Sequence, residues 1–377
     1  MITKSLIRCL AGVGAVTVAA SLSGVNAVAA QTSSYSPHAP KVVASGLNSP
    51  RQLNFSPGGS LYVAEAGTTG TSGCQPSPLD PTVQACVGLT GSVSRIGEEG
   101  HVTRVVTGLP SAGTPDEPLG PADLVFTGDH TFALTIGLGG SVAYRTGFGP
   151  EGARLGTLVQ VNLRGHHRSP RVTEIADLAG YEARVNPEPT DIDSDPTGLA
   201  RSGRGFVYAD AGGNAVNSTR HGGSTIAVLP AVPTMQDTPH GPPAGFPADS
   251  VPTDVVKGPD GAWYVSQLVG FPFEKGSSTI WRIVPGHAPT AYATGFTNVT
   301  SLAFDPRGHL YAVEIAADGL LSGPIGALVR VRAGATSPEV VTGGLFAPYG
   351  LAIRGHHAYV TTHSTEANAG SVVKIDL

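Results

Sequence analysis

Basic side chains are scarce in this chain, lysine above all. Five lysines accompany eighteen arginines in 377 residues, and no basic run occurs. Nucleic acid and anionic membrane surfaces both demand clustered Lys and Arg, so neither is an expected partner. Cysteine is rarer still: three in all, one of them Cys9 in the first thirty residues. Cys9 follows Arg8 and stands too early for lipid attachment. A long apolar run occurs once, Leu10 to Val28, and Ser, Thr, Gly and Asn interrupt it, which makes a poor membrane span. No Gly-x-Ser-x-Gly elbow is present, no helix is expected to carry one, and no phosphate-binding loop appears. Nucleophilic catalysis therefore finds little support.

What the N-terminus does contain reads as an export signal over residues 1–30. Lys4 and Arg8 form the basic start, the apolar segment follows, and Ala27-Val28-Ala29 or Val28-Ala29-Ala30 offers a small-residue cleavage site. The expected product is a secreted, extracellular protein with a short linker over 31–40, one domain over 41–377 and no membrane span after cleavage. Its formal charge drops from −5 to −7, because the leader holds two cations and no acid. The remaining cysteines, Cys74 and Cys86, have eleven residues between them, which suggests a disulfide closing a local loop. Two thiols alone make an incomplete zinc site.

Glycine and proline, at 51 and 31, exceed average usage and fall between apolar runs, marking many tight turns. One phrase recurs six times: a Pro (Val in the fifth copy), two residues and an aliphatic residue, with an apolar position two further on in four of the copies. It reads Pro50-Arg51-Gln52-Leu53, Pro121-Ala122-Asp123-Leu124, Pro196-Thr197-Gly198-Leu199, Pro252-Thr253-Asp254-Val255, Val299-Thr300-Ser301-Leu302 and Pro348-Tyr349-Gly350-Leu351. A turn and a second β-rich run follow each copy, as in Pro57-Gly58-Gly59 before Leu61 to Glu65. A third run then alternates polar and apolar residues: Ser92 to Ile96, Thr157 to Val161, Ser224 to Val228, Thr279 to Ile283, Ala327 to Val331 and Ser371 to Ile375. A fourth reads Val105-Val106-Thr107-Gly108-Leu109 and Val340 to Leu345. The same phrase, Val42-Val43-Ala44-Ser45-Gly46-Leu47, stands before the first repeat, while the last repeat lacks a fourth strand. The expected fold is all-β: a six-bladed β-propeller closed by the N-terminal strand completing the last blade.

In such a blade the turn entering strand one and the turn leaving strand two share a face. The long segments Gly67 to Leu89, Gly137 to Leu155, Gly180 to Ser194 and Pro230 to Ser250 all fall there, and long loops are where function concentrates. Arg51, Gln52, Asp123, Asp195 and Asp254 enter strand one; Glu65, Asp210, Gln267, Glu314 and His363 leave strand two. They are expected to converge on the channel mouth as a binding site. Several carboxylates around one axis need cations, protons or partners. Bound Ca²⁺ on Glu65, Asp123, Asp210, Asp254 and Glu314 is one solution, and pairing that holds neighbouring blades is the other. Asp191-Ile192-Asp193-Ser194-Asp195 looks like half a calcium loop, without the Gly and distal Glu of an EF-hand. His166-His167 and His356-His357 read as turn residues on the short-loop face.

The phrases Val43 to Pro50, Leu61 to Gly67, Thr90 to Ile96, Leu178 to Glu182, Asp195 to Leu199, Tyr208 to Asn214 and Val251 to Val256 resemble the ScyD/ScyE family over about residues 40 to 377. That family takes its name from gene clusters for the pigment scytonemin. The resemblance implies an exported six-bladed propeller of a kind frequent in actinobacteria, and supplies no reaction and no catalytic residue. The repeats also look like NHL repeats, which serve mostly as binding platforms. A weaker likeness runs to calcium-dependent lactonase and strictosidine-synthase-like enzymes, whose Asn-rich ligand sets are replaced here by Asp and Gln. Quinone-dependent sugar dehydrogenases share the Gly-Leu-x-x-Pro opening, without a counterpart here of their His-containing cofactor segment. The expected function is a monomeric binding or scaffold module for a small molecule, glycan or protein; the rival is a Ca²⁺-dependent, lactonase-like hydrolase at the channel mouth.

Overall fold

The computed structural model describes residues 39–377 except Leu79, residues 165–168, Thr190 and residues 238–241. The expected leader, most of the linker and His166-His167 lie outside the described residues. The recurring phrase opens the first strand of each of six antiparallel sheets: Pro50–Phe55, Pro121–Gly128, Pro196–Ser202, Pro252–Lys257, Val299–Phe304 and, beginning just after it, Leu351–Arg354. Short turns lead back into Leu61–Glu65, Thr131–Ile136, Gly205–Asp210, Trp263–Gln267, Leu310–Glu314 and His357–Thr362. Two further strands complete five of the sheets in simple up-and-down order, and the first sheet carries two additional short strands, Ser72–Pro76 and Glu117–Leu119.

The sixth sheet takes its fourth strand from the other end of the chain. Lys41–Leu47 runs antiparallel to Gly370–Asp376, with Lys41 opposite Lys374 and Leu47 opposite Gly370. Each first strand packs against the first strand of the next sheet, and that of the sixth packs against that of the first. The ring is therefore closed, and the fold is a β-propeller. Closure removes the long open edges that a row of separate sheets would expose.

Apolar residues alternate along the strands and meet between neighbouring sheets. Tyr62 of the first sheet packs edge-on to Phe126 of the second, ring centroids 5.0 Å apart, over buried Phe132 and Leu134. Tyr264 of the fourth meets Phe304 of the fifth in the same way at 4.9 Å. Each such buried side chain stabilises by roughly 1.5–3 kcal/mol relative to exposure.

Three expectations need correction. Ser224–Val228 is the fourth strand of the third sheet; its third is Ala215–Ser218, directly after the Asp210 turn. The segment Gly67 to Leu89 contains sheet: Ser72–Pro76 pairs with the long strand Gln84–Ile96, and Cys74 is disulfide-bonded to Cys86. Two helices also form, α1 (Val142–Gly147) and α2 (Leu178–Val185). Both start on side-chain caps. Ser141 accepts the Tyr144 N–H, and Asp177 accepts the Gly180 N–H while pairing with Arg145 at 2.7 Å. Among the described residues no helix is long and apolar enough to cross a membrane.

Candidate functional site

A bulge repeated around the ring decides where the polar residues point. Pro50 stands opposite Glu65, yet Leu53 stands opposite Val63, so three steps on the first strand match two on its partner. The same kind of shift follows Pro121, Pro196, Pro252 and Val299. A bulge re-aims consecutive side chains. Here it sends the second residue of the phrase to one end of the channel and the third to the other.

Third-position residues Gln52, Asp123 and Asp254 line a cavity of about 290 Å³ on the short-hairpin side. Each reaches across to another sheet. Asp123 accepts the Leu124 and Leu199 amides at 2.6 and 2.7 Å. Asp254 accepts those of Val255 and Leu302 at 2.7 and 2.8 Å, with the Ser301 hydroxyl at 3.1 Å. Gln52 donates to the Thr300 carbonyl and accepts from Ser301. Burial, and then the charge of Asp254, holds the Asp123 carboxyl well above the usual range; burial pushes Asp254 up to about 6 against its amide donors.

Residues leaving strand two line neither cavity. Their side chains turn into the sheet and grip the turn that enters strand one. Glu65 accepts the Asn48 amide at 2.7 Å, the Ser92 and Ser94 hydroxyls and Arg104 at 2.9 Å. Asp210 accepts the Asp195 amide at 2.7 Å, the Ser194 hydroxyl and the Gly213 amide; Glu314 accepts the Thr297 amide at 2.8 Å. Gln267 donates to Ser250 at 2.8 Å and accepts from Thr279 and Trp281. Burial pushes both Asp210 and Glu314 up to about 7. His363 pairs with Glu366 at 2.7 Å and stacks on Phe346.

The expected convergence on one mouth is thus corrected. Of the ten residues picked out for that site, Arg51 and Asp195 line the long-loop mouth, Gln52, Asp123 and Asp254 face the opposite end, and the other five line neither cavity. The five acids considered for Ca²⁺ belong to five different sheets. Among the described residues no three His, Cys, Asp or Glu side chains are gathered to hold a metal ion.

The long-loop mouth is a cavity of about 80 Å³ built from second-position residues and loops. Arg51 lies buried in it, donating to the carbonyls of Ser364 and, at 2.8 Å, Pro118, with its guanidinium carbon 5.0 Å from the Tyr349 ring centroid. Burial lowers its pKa, while Tyr349, Asp195 and Glu117 oppose that shift. Burial pushes the Tyr349 phenol up to about 12. Thr197 and Thr253, two further second-position residues, also line it; the Thr253 hydroxyl donates to the Val299 carbonyl at 2.7 Å, binding one sheet to the next. Asp195 accepts the Leu138 amide at 3.1 Å beside Gly137, where a Cβ would come within 2.7 Å of the carboxylate. A Cβ at Gly212 would likewise come within 2.9 Å of the Asp193 carboxylate.

Sequence reasoning does not select Asp116, Glu117, Leu119, Asp193, Tyr349 or Ser364 for this mouth. Asp116 and Glu117 arrive on a hairpin grown from the first sheet's fourth strand, Val102–Thr114, and Ser364 on the sixth sheet's two-to-three connection. Two of these carry a signal in the sequence: Tyr349 by its place in the repeated phrase and Asp193 by the alternating acids of residues 191–195.

No family model and no curated protein matches the chain. Solved structures do. The iodide structure of a Trichoderma reesei protein of Carbohydrate-Active Enzymes Family AA12 aligns over 90% of this chain and 96% of its own, with 10% identity and a TM-score of 0.52. The aldose sugar dehydrogenase of Streptomyces coelicolor in its PQQ-bound form covers 89% and 96%, at 12% identity and a TM-score of 0.48. A catalytically inactive variant of virginiamycin B lyase from Staphylococcus aureus, with quinupristin, covers 90% and 98%, at 11% identity and a TM-score of 0.45. The structural neighbours are β-propeller proteins. The class is thereby defined by fold; at these identities the likeness extends to the fold alone.

Proposed function

We propose that this protein is an exported binding propeller that admits a small molecule, or the small terminal group of a glycan or protein, at its long-loop mouth. The observation that carries this reading is the division of labour among the polar residues. Glu65, Asp210, Gln267 and Glu314 are engaged in gripping turns, and Asp123 and Asp254 in joining sheets. Arg51, Tyr349, Asp195 and Ser364 meet in one cavity. A concave, largely apolar cleft with a few convergent polar groups is the usual form of a small-ligand site. Export is supported by the leader in the sequence and by the Cys74–Cys86 disulfide, a bond that persists in oxidising compartments. The ScyD/ScyE resemblance is consistent with that setting. A Ca²⁺-dependent hydrolase would need several of the same acids around one ion, which their positions in separate sheets do not favour.

The test is a small-molecule screen by ligand-observed NMR on the full chain, repeated on Ala211→Phe, which fills the mouth. Hits that vanish in the filled variant while its melting temperature stays within a few degrees support the proposal. Hits unaffected by the filling place binding elsewhere and refute it.

A further inference from the structure

The sequence contains no basic run, yet the fold brings separate cations together around one groove. This groove, of about 520 Å³, lies between the second and third sheets and shares no lining residue with either end of the channel. Its floor is apolar: Leu158 from Thr157–Asn162, Ile175 from Arg171–Asp177 and Phe206 from Gly205–Asp210. Leu158 is fully buried, whereas Ile175 keeps 43% of its surface in solvent. Around this floor stand three exposed side chains, Arg204, Arg220 and His221. Arg204 comes from the third sheet's first hairpin, the other two from the turn between Ala215–Ser218 and Ser224–Val228.

The two turns are tied side by side. The Thr219 amide donates to the Phe206 carbonyl at 2.9 Å, and the Phe206 amide donates to the Thr219 hydroxyl at 3.0 Å. Gly205 makes room for the Arg220 stem, since a Cβ there would come within 2.7 Å of Arg220 Cγ. His221 is held at φ +56°, a left-handed conformation that few non-glycine residues adopt. Among the described residues no acid lines the groove, and neither guanidinium nor the imidazole has an ion-pair or hydrogen-bond partner. Arg145, Arg282, Arg330 and Arg332, by contrast, are each paired with a carboxylate. The groove is therefore cationic in a chain of formal charge −5.

We propose that this groove binds a small amphiphilic phosphate monoester. Two guanidinium forks present donors in the planar geometry that phosphate oxygens accept, and the His221 ring adds a further N–H. The apolar body of the ester lies on Leu158, Ile175 and Phe206. Inorganic phosphate leaves that floor bare, and a neutral alcohol leaves the donors unanswered.

The test is titration of the full chain at pH 7 and low salt with phenyl phosphate, against inorganic phosphate, phenol and benzylamine. Saturation-transfer NMR reads the aromatic probes, phosphorus NMR reads inorganic phosphate, and circular dichroism confirms that each variant folds. Phenyl phosphate should bind about tenfold more tightly than inorganic phosphate or phenol, and benzylamine should not bind. Arg204→Gln and Arg220→Gln, both at exposed positions, should each weaken binding about fivefold to tenfold. Ile175→Glu, which puts an acid on the floor, should abolish it, added salt should weaken it, and Ala211→Phe at the mouth should leave it unchanged. No binding of phenyl phosphate at millimolar concentration, or binding that the arginine variants leave unchanged, overturns the inference. Inorganic phosphate binding as tightly as the ester overturns it too, because charge alone then accounts for the affinity. Sedimentation with phosphatidic acid vesicles without binding of phenyl phosphate would make the patch a membrane contact and refute the small-molecule site.

Discussion

At the scale of single residues, Glu65 illustrates how this fold uses its acids. Its two oxygens accept from a backbone amide, two hydroxyls and Arg104 with no exposure to solvent. Removing the charge leaves those donors underserved, so Glu65→Gln should cost about 2–3 kcal/mol in urea unfolding. Asp210, Glu314 and Asp254 behave differently with pH. Burial raises their folded pKa values to about 7, 7 and 6, above their ordinary values of 3.8, 4.5 and 3.8. Between about pH 4 and 7 the folded state then binds more protons than the unfolded state, so these groups make stability fall as pH rises through that window. One pKa unit corresponds to about 1.4 kcal/mol, so even part of these shifts is measurable. Melting temperature should decline from pH 5 to pH 8, and the double variant Asp210→Asn/Glu314→Gln should flatten that decline. A rise over the same range would refute the assignment.

Among the elements, the hairpin Ser72–Pro76 with Gln84–Ile96 is the one the chain secures covalently. Gln75 donates from its Nε2 to the Tyr144 carbonyl at 2.7 Å, joining the hairpin to α1. The long strand continues into the pairing that presents Glu117 to the mouth. Replacing Cys74 and Cys86 with serine should cost roughly 2–3 kcal/mol on the loop-closure estimate. Hydrogen exchange should locate the loss in the amides of Ser72–Pro76 and at the start of Gln84–Ile96. This element also marks where the sequence is hard to read. First strands are legible because Pro, the bulge and the aliphatic anchor recur at fixed offsets. Ala215–Ser218 is not, because four residues after a Gly-Gly turn give no alternation to detect. The helices escape notice because six and eight residues hold at most two turns, secured by caps and the Arg145–Asp177 pair rather than by periodicity. The mouth is half legible for a related reason. Arg51 belongs to the repeat, whereas Asp116, Glu117 and Ser364 come from insertions whose position depends on three-dimensional pairing.

The whole molecule depends on closure. Lys41–Leu47 supplies the last edge, and Arg354 of the sixth sheet donates to the Gly59 carbonyl of the first. A chain starting at Asn48 should lose cooperative unfolding and gain an exposed edge at Gly370–Asp376, visible as broadened melting and concentration-dependent association. Asp123, Asp254 and Thr253 bond each of their sheets to the next. Thermal melting of the full chain in EDTA and in millimolar Ca²⁺ decides whether the recurrent acids are architecture or a calcium site. The prediction is one melting temperature in both. A ligand at a hundred times its dissociation constant stabilises by about 2.7 kcal/mol. A rise of that order in Ca²⁺, abolished in Glu314→Gln, would instead make the acids a calcium site.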